Sequence, residues 1–254
     1  MRIAVCVKQI PDPAAPYALD PQTHFVMRPE DQVLDDTDRY GVEVGLQLAE
    51  AAGDDATVTL VSMSPSGSLQ GIRQALAMGA DGVMIVDDET LRGADALTTA
   101  RVLAAVMQRQ DFDVIIAGTE STDGYTGVVP QQISELVGVP ALTFARKVEA
   151  TDDGIRIERQ TQGGYDVVEA DTPVLLSVTA GAVEPRYPTF KGIMQAKQKP
   201  VETLSCADLD VTPHVQQAIR DVEPVPSRQA GEIHEDEGDG HLRIIAMLEQ
   251  VKVI

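Results

Sequence analysis

The sequence predicts an α/β fold: a doubly wound, mainly parallel sheet with added antiparallel strands and an extended C-terminal arm. Three observations predict it. Up to about residue 140, short β-branched runs alternate with segments of helical period. After them, strand-like runs follow one another with only turns between. From Gly181 onward, proline, lysine and then acidic residues replace both patterns.

Taken in order, Ile3–Val7, Thr57–Ser62, Val83–Val86 and Val114–Ala117 are apolar runs bounded by Gly, Pro, Ser or Asp, the mark of strands buried on both faces. Between them, Asp38–Ala52, Ser66–Met78 and Asp95–Gln108 carry apolar residues at spacings of three and four, and the second of these helices stops at Gly79. Another helix is expected to begin near Thr126. Beyond it, Ala141–Lys147, Gly154–Arg159, Asp166–Ala170 and Val174–Thr179 read as antiparallel strands added to the same sheet, separated by TDDG and QGG turns. The organisation expected is a main domain over 1–183, a loop and short helix over 184–200, and an arm over 201–254. Val201–Gly240 lacks sustained periodicity, and the amphipathic end His241–Ile254 leaves Leu242, Ile244, Ile245 and Leu248 without a core of their own, so the arm needs a partner. The acidic tract His234–Gly240 reads as a solvated stretch.

Composition narrows the function. The 254 residues hold 40 acidic and 20 basic side chains, a formal charge of -20, which disfavours phosphate backbones and anionic membranes as main partners. The chain has no Trp, four Phe and five Tyr, little material for stacking on single-stranded bases, so no nucleic acid is expected. Cys6 and Cys206 make neither a disulfide scaffold nor a zinc-ligand spacing, and no metal site is expected. With no leader-like start and no apolar run of membrane-spanning length, a cytoplasmic location and no direct membrane insertion are expected.

The strand Val114–Ala117 runs into GTESTDGYTGVVP, Gly118–Pro130. A Gly- and hydroxyl-rich turn at the carboxyl end of a parallel strand offers backbone N–H groups and a positive helix end to a phosphate; an ordinary strand-to-helix loop is the equal alternative. It is neither a P-loop nor a G-x-G-x-x-G turn. Cys6–Lys8 and Ser62–Ser64 end on the same edge, and together the three outline an adenylate-sized crevice. His24, His214, His234 and His241 stand near no Ser, Cys or carboxylate constellation, and Cys6 reads as a small buried hydrophobe, so no catalytic residue is assigned. Glu184–Pro200, EPRYPTFKGIMQAKQKP, gathers Arg186, Lys191, Lys197 and Lys199 around Tyr187, Phe190, Ile193 and Met194. Apolar anchors with a basic rim, stiffened by Pro185 and Pro188, suggest a docking segment rather than a loop folded back on the core.

These residues, with VCVKQIPD (Val5–Asp12), IRQALAMGAD (Ile72–Asp81) and the STDG loop, resemble the β subunit of electron transfer flavoproteins, and the resemblance runs from Met1 through the arm. It implies a Rossmann-like fold of the adenine-nucleotide α-hydrolase kind, in a heterodimer whose α subunit carries most contacts to FAD. It also implies a structural AMP here, at Cys6, Asp35, Asp38, Met63, Gly118, Thr122, Asp123, Gly124, Tyr125, Thr126 and Gly127. The partners implied are acyl-CoA or related dehydrogenases, docked through Phe190, and a membrane quinone reductase as acceptor. Where many members have Asn-Pro, this chain has Asp35-Asp36, which sets negative charge beside the adenylate. Pro13 and Gln160 stand at flavin-facing positions where some members have tyrosine and glutamate. Asp38 is also acidic in electron-bifurcating relatives, which hold a second FAD in place of AMP and oxidise NADH; that is the alternative reading. A free-standing, stress-type nucleotide-binding monomer would share the crevice, and the arm argues against it.

Overall fold

The computed structural model describes residues 1–64, 69–223, 225, 231 and 233–254. In chain order the elements are β1 (Arg2–Cys6), β2 (Gln9–Ile10), β3 (Val33–Leu34), α1 (Asp36–Ala52), β4 (Thr57–Met63), α2 (Gln70–Met78), β5 (Gly82–Val86), α3 (Ala96–Met107), β6 (Val114–Gly118) and α4 (Val129–Val137). They continue with β7 (Ala141–Ala150), β8 (Gly154–Thr161), β9 (Gly164–Asp171), β10 (Val174–Val178), α5 (Phe190–Ala196), β11 (Val201–Leu204) and α6 (Gly240–Gln250). Nine strands form one sheet in the order β11-β5-β4-β1-β6-β10-β7-β8-β9, while β2 and β3 pair apart from it. Residues 1–219 make one compact unit and 220–254 a second, in which α6 leaves Leu242, Ile244 and Ile245 exposed.

The doubly wound expectation holds because the central strands are apolar on both faces. Ile3, Val5, Leu60 and Ile116 meet α1 and α2 on one side, whereas Ala4, Val61 and Ile115 meet α3 and α4 on the other. Ile3, Leu60 and Ile116 are each wholly buried, and filling both faces is what forces helices onto each. Gly71, in the first turn of α2, permits an unusually close approach: a Cβ there would lie 2.6 Å from the backbone nitrogen of Leu34.

Three readings need correction. The strands over 141–179 are not all antiparallel: β10 runs parallel to β6 and β7 parallel to β10, leaving only the β7-β8-β9 meander antiparallel. A strand's own pattern does not encode its direction; α4, crossing from β6 to β7, sets it. Secondly, α4 starts at Val129, not near Thr126, since positive φ at Tyr125 and Gly127 holds the chain out of the helix and Pro130 suits the first turn. Thirdly, Val201–Leu204, expected to be aperiodic, adds an edge strand parallel to β5, and Leu204 and Cys206 are buried in the α3 side of the core. The strand shows no alternation because only Leu204 faces inward. The second helix spans Gln70–Met78; the Ser66–Ser68 start expected for it lies outside the described residues.

Phe144 marks a bulge in β7. Its φ is +57°, the ladder to β10 shifts register across it between Leu142 and Ala145, that to β8 shifts just beyond it between Ala145 and Lys147, and its N–H donates to the buried Ser177 Oγ at 2.9 Å. Beyond the bulge the meander lays Ile155, Ile157 and Val168 onto the α1 and α2 side of the core.

Candidate functional site

β1, β4 and β6 end on one edge of the sheet, and the start of α1 and the 118–128 loop face each other there. Asp35 joins them. Its Oδ1 accepts from Thr37 N at 3.1 Å and Thr37 Oγ1 at 2.9 Å, capping α1; its Oδ2 accepts from Thr122 N at 2.8 Å and Thr122 Oγ1 at 3.1 Å. The residue is fully buried, and its carboxylate has a donor on each side, so the charge expected beside an adenylate is turned inward. Asp36, the other half of the Asp-Asp pair, lies at the surface beside Arg39 at 3.3 Å.

One turn into α1, Asp38 Oδ2 accepts from Lys8 N at 2.6 Å, and a Cβ on Gly118 would stand 3.1 Å from Asp38 Oδ1. Glycine at 118 is therefore what lets the buried carboxyl reach the end of β6. Burial first, and then the charge of Asp35, push the Asp38 carboxyl well above the usual carboxylate range. At Cys6, half-buried on the end of β1 rather than fully buried as expected, burial and then Asp38 push the thiol up to about 12, away from the reactive thiolate.

Asp123 differs from Asp38. Its side chain is 1% exposed, yet Lys8 Nζ lies 2.6 Å from Oδ1 and Arg28 Nη2 reaches Oδ2. Burial raises its carboxyl, but the Lys8 charge and the hydrogen bonds from Lys8 and Arg28 outweigh it, and the net displacement is downward. Arg28 also donates to Gln9 O at 3.4 Å, which ties the excursion between β2 and β3 across the crevice. The sequence reading placed Lys8 only as part of a strand end and missed Arg28, because the two come together with Asp123 from 115 and 95 positions away, with no local spacing to mark the pairing.

The two buried acids predict opposite pH responses. A group whose carboxyl is raised by folding is ionised more readily when unfolded, so its contribution falls as pH rises from the usual range towards the raised value. Asp38→Asn, which retains an acceptor for Lys8 N, is expected to remove that decline: urea midpoints measured from about pH 5 to pH 8 should fall less for the variant than for the parent. Equal slopes would refute the buried-acid assignment. Asp123 works the other way, its stabilisation being present above the ordinary value and lost as pH drops through the lowered one.

The expected adenylate residues thus assemble only in part. Asp35 bonds Thr122 and Asp38, Lys8 links Asp38 to Asp123, and Gly118 lies against Asp38, with Cys6 and Met63 half-buried at neighbouring strand ends. Tyr125, with φ +49°, and Thr126 are exposed. Among the described residues, the N–H groups of Asp123, Gly124, Thr126 and Gly127 donate to nothing. Unused donors on a glycine-bearing turn with two nearby cations suit an anionic group.

A separate cleft of about 420 Å³ opens beside Thr119 and Glu120, walled by Phe144, Gln160 and Thr179. Gln160 is in its wall, whereas Pro13 is an exposed residue of the β2–β3 excursion, so the structure does not join the two flavin-facing positions in one wall. In the docking segment, Tyr187 and Phe190 are 84% and 82% exposed and Ile193 and Met194 are also outward. The basic rim is smaller than expected. Arg186 binds Glu43 and Glu50, and Lys199 Nζ donates to the carbonyls of Leu76, Gly79 and Ala80.

Fold and site define a doubly wound α/β protein with a polar crevice at its strand ends and an outward apolar segment. The profile of the family described as "Electron transfer flavoprotein domain" matches residues 23–209. The electron transfer flavoprotein subunit beta of Mycobacterium tuberculosis H37Rv is 36% identical over 263 aligned residues, covering 99% of each chain. That of Thermoanaerobacterium thermosaccharolyticum is 35% identical over 213, covering 83% of this chain and 81% of its own. The Bacillus subtilis 168 protein of that name is 31% identical over 209, covering 81% and 80%. The chain belongs to the electron transfer flavoprotein β-subunit family, a family of electron-transfer proteins. No helix among the described residues is long and apolar enough to cross a membrane.

Proposed function

We propose that this chain is the β subunit of a cytoplasmic, heterodimeric electron carrier that accepts electrons from acyl-CoA or related dehydrogenases of fatty-acid β-oxidation and delivers them to a membrane quinone reductase of the respiratory chain. The carrying observation is the fully outward Phe190 on a segment tied to the body, which suits repeated, reversible docking better than a core element. FAD, bound mostly by the α subunit, supplies the redox chemistry. The role of this chain is to present surface: Gln160 and Phe144 offer the flavin side an uncharged wall, and the 220–254 unit offers the α subunit the apolar face of α6.

The crevice fits a structural AMP. The free N–H groups of Asp123, Gly124, Thr126 and Gly127 would hold its phosphate, with Lys8 and Arg28 as counter-charges, and Cys6 and Met63 would border the nucleoside. Asp35 and Asp38 would act from behind, fixing the loop that presents those donors. The second reading, an electron-bifurcating subunit with a second FAD here and NADH as donor, draws on Asp38, whose carboxyl stands at the end of β6.

One experiment separates them: co-express the chain with its α subunit, denature the purified heterodimer, and quantify what is released. One FAD and one AMP per heterodimer are expected. Two FAD and no AMP would replace the carrier reading with the bifurcating one, and a stable nucleotide-bearing monomer would overturn both.

A further inference from the structure

The segment 184–200 carries four cations, and the structure sorts them into two pairs. Arg186 is internal: its Nε and backbone N donate to Glu43 Oε2 at 2.8 and 3.0 Å, Nη2 to Glu43 Oε1 at 3.0 Å, and Nη1 to Glu50 Oε1 at 2.6 Å. Glu43 is buried on α1, and Gln47 steadies it at 2.8 Å. Lys199 is internal too. Its Nζ takes the carbonyls of Leu76 and Gly79 at 3.0 Å and of Ala80 at 2.5 Å, terminating α2 where the last helical carbonyls lack partners. By contrast, Lys191 and Lys197 are exposed, and their side chains make no hydrogen bond or ion pair among the described residues.

Between the two internal cations lies α5, of seven residues, too short to persist as an isolated helix. Thr189 caps it, accepting from Gly192 N at 3.0 Å. A Cβ on Gly192 would fall 2.4 Å from the carbonyl oxygen of Ala77, so α5 rests on α2 at backbone contact. The helix is thus seated by its ties to α1 and α2, and the side chains left outward are Tyr187, Phe190, Ile193 and Met194.

We infer that Arg186 and Lys199 are positioning residues that hold these four side chains in their docking arrangement before a partner arrives, leaving Lys191 and Lys197 to face it. The inference rests on the docking reading above. A segment ordered in advance loses less conformational freedom on binding, so loosening either tie should weaken docking without altering any contact residue. Lys191 and Lys197 face water and should act on the encounter rate and its salt dependence.

The test uses the full-length chain purified with its α partner, with hydrogen exchange followed by mass spectrometry and electron acceptance measured from an acyl-CoA dehydrogenase pre-reduced by its substrate. In Lys199→Met and Arg186→Gln, amides of Gly192–Ala196 should exchange about tenfold faster, those of β1 and β4 staying unchanged. The dehydrogenase concentration for half-maximal transfer should rise with the maximal rate preserved, and Lys199→Arg, which retains donors, should restore both. Phe190→Ala should lose acceptance with exchange unaltered. Unchanged exchange in both tie variants, or faster exchange with unimpaired acceptance, would overturn the positioning role. Normal acceptance by Phe190→Ala would instead sink the docking reading, whatever the exchange rates, so the two failures are distinguishable.

Discussion

Asp35→Ala should destabilise the chain by about 3 kcal/mol, the sum of a lost helix cap and buried donors left without an acceptor. The size follows from the position of the residue, whose two carboxylate oxygens join the start of α1 to the 118–127 turn, where the Thr37 Oγ1 bond to Glu120 O at 3.3 Å is the longer link. Alanine strips α1 of its cap at Thr37 and strands Thr122 N and Oγ1 in a part-buried site. On the proposed AMP-holding role, the same change should also lower the nucleotide content, because Asp35 Oδ2 accepts from Thr122 N and Oγ1 on the 118–127 turn. Asp35→Asn retains one acceptor and should lose less of both. Urea unfolding, with nucleotide content measured on the same preparations, is the check; a loss under about 1 kcal/mol would mean that the turn is held by something other than this carboxylate.

Three acids in one crevice would repel if all were exposed and ionised, and the fold deals with each differently. Asp35 has hydrogen bonds on both oxygens, Asp123 has two cations, and Asp38 is so buried that its ionised form is disfavoured. The cations on Asp123 do a second task, since Arg28 draws the β2–β3 excursion over the strand ends. Lys8 and Arg28 thus balance Asp123 beside the free N–H groups, although the whole chain has a charge of -20. Charge counted along a sequence is a poor guide to the charge at one edge of a sheet.

How far the sequence could be read follows from the range of each signal. β1, β4, β5 and β6 were legible because burial on both faces demands an unbroken apolar run, a local property of five to seven residues. Gly79 at the end of α2 and the outward Phe190 were legible for the same reason, each being written in adjacent residues. The direction of β7 and β10 was not, since it depends on which strand lies next door, and β11 was hidden by having only Leu204 buried. Within the crevice, the residue types were found but their wiring was not. The pairing of Asp35 with Thr122 spans 87 positions and that of Asp123 with Lys8 spans 115. Likewise Arg186 and Lys199 were counted as a rim because composition records a cation, whereas only the fold shows whether a carboxylate or a carbonyl already holds it.

Phe190→Ala should raise the dehydrogenase concentration needed for half-maximal electron acceptance about 30-fold, the equivalent of roughly 2 kcal/mol for an apolar anchor at the centre of an interface. The side chain contributes almost nothing to the folded monomer, being 82% exposed, so thermal stability and FAD content should stay at parental values. Tyr187 is equally outward, and comparing the two tests whether one anchor dominates or the apolar surface acts as a whole. If Tyr187→Ala produces as large a loss as Phe190→Ala, the energy is spread over the patch; a loss confined to Phe190 makes it the anchor, because a single side chain entering a pocket concentrates the desolvation that neighbouring contacts merely enclose. Acceptance by the Phe190 variant at the parental concentration would remove the segment from the electron-accepting face altogether, and the apolar exposure of Tyr187, Ile193 and Met194 would then call for a different partner.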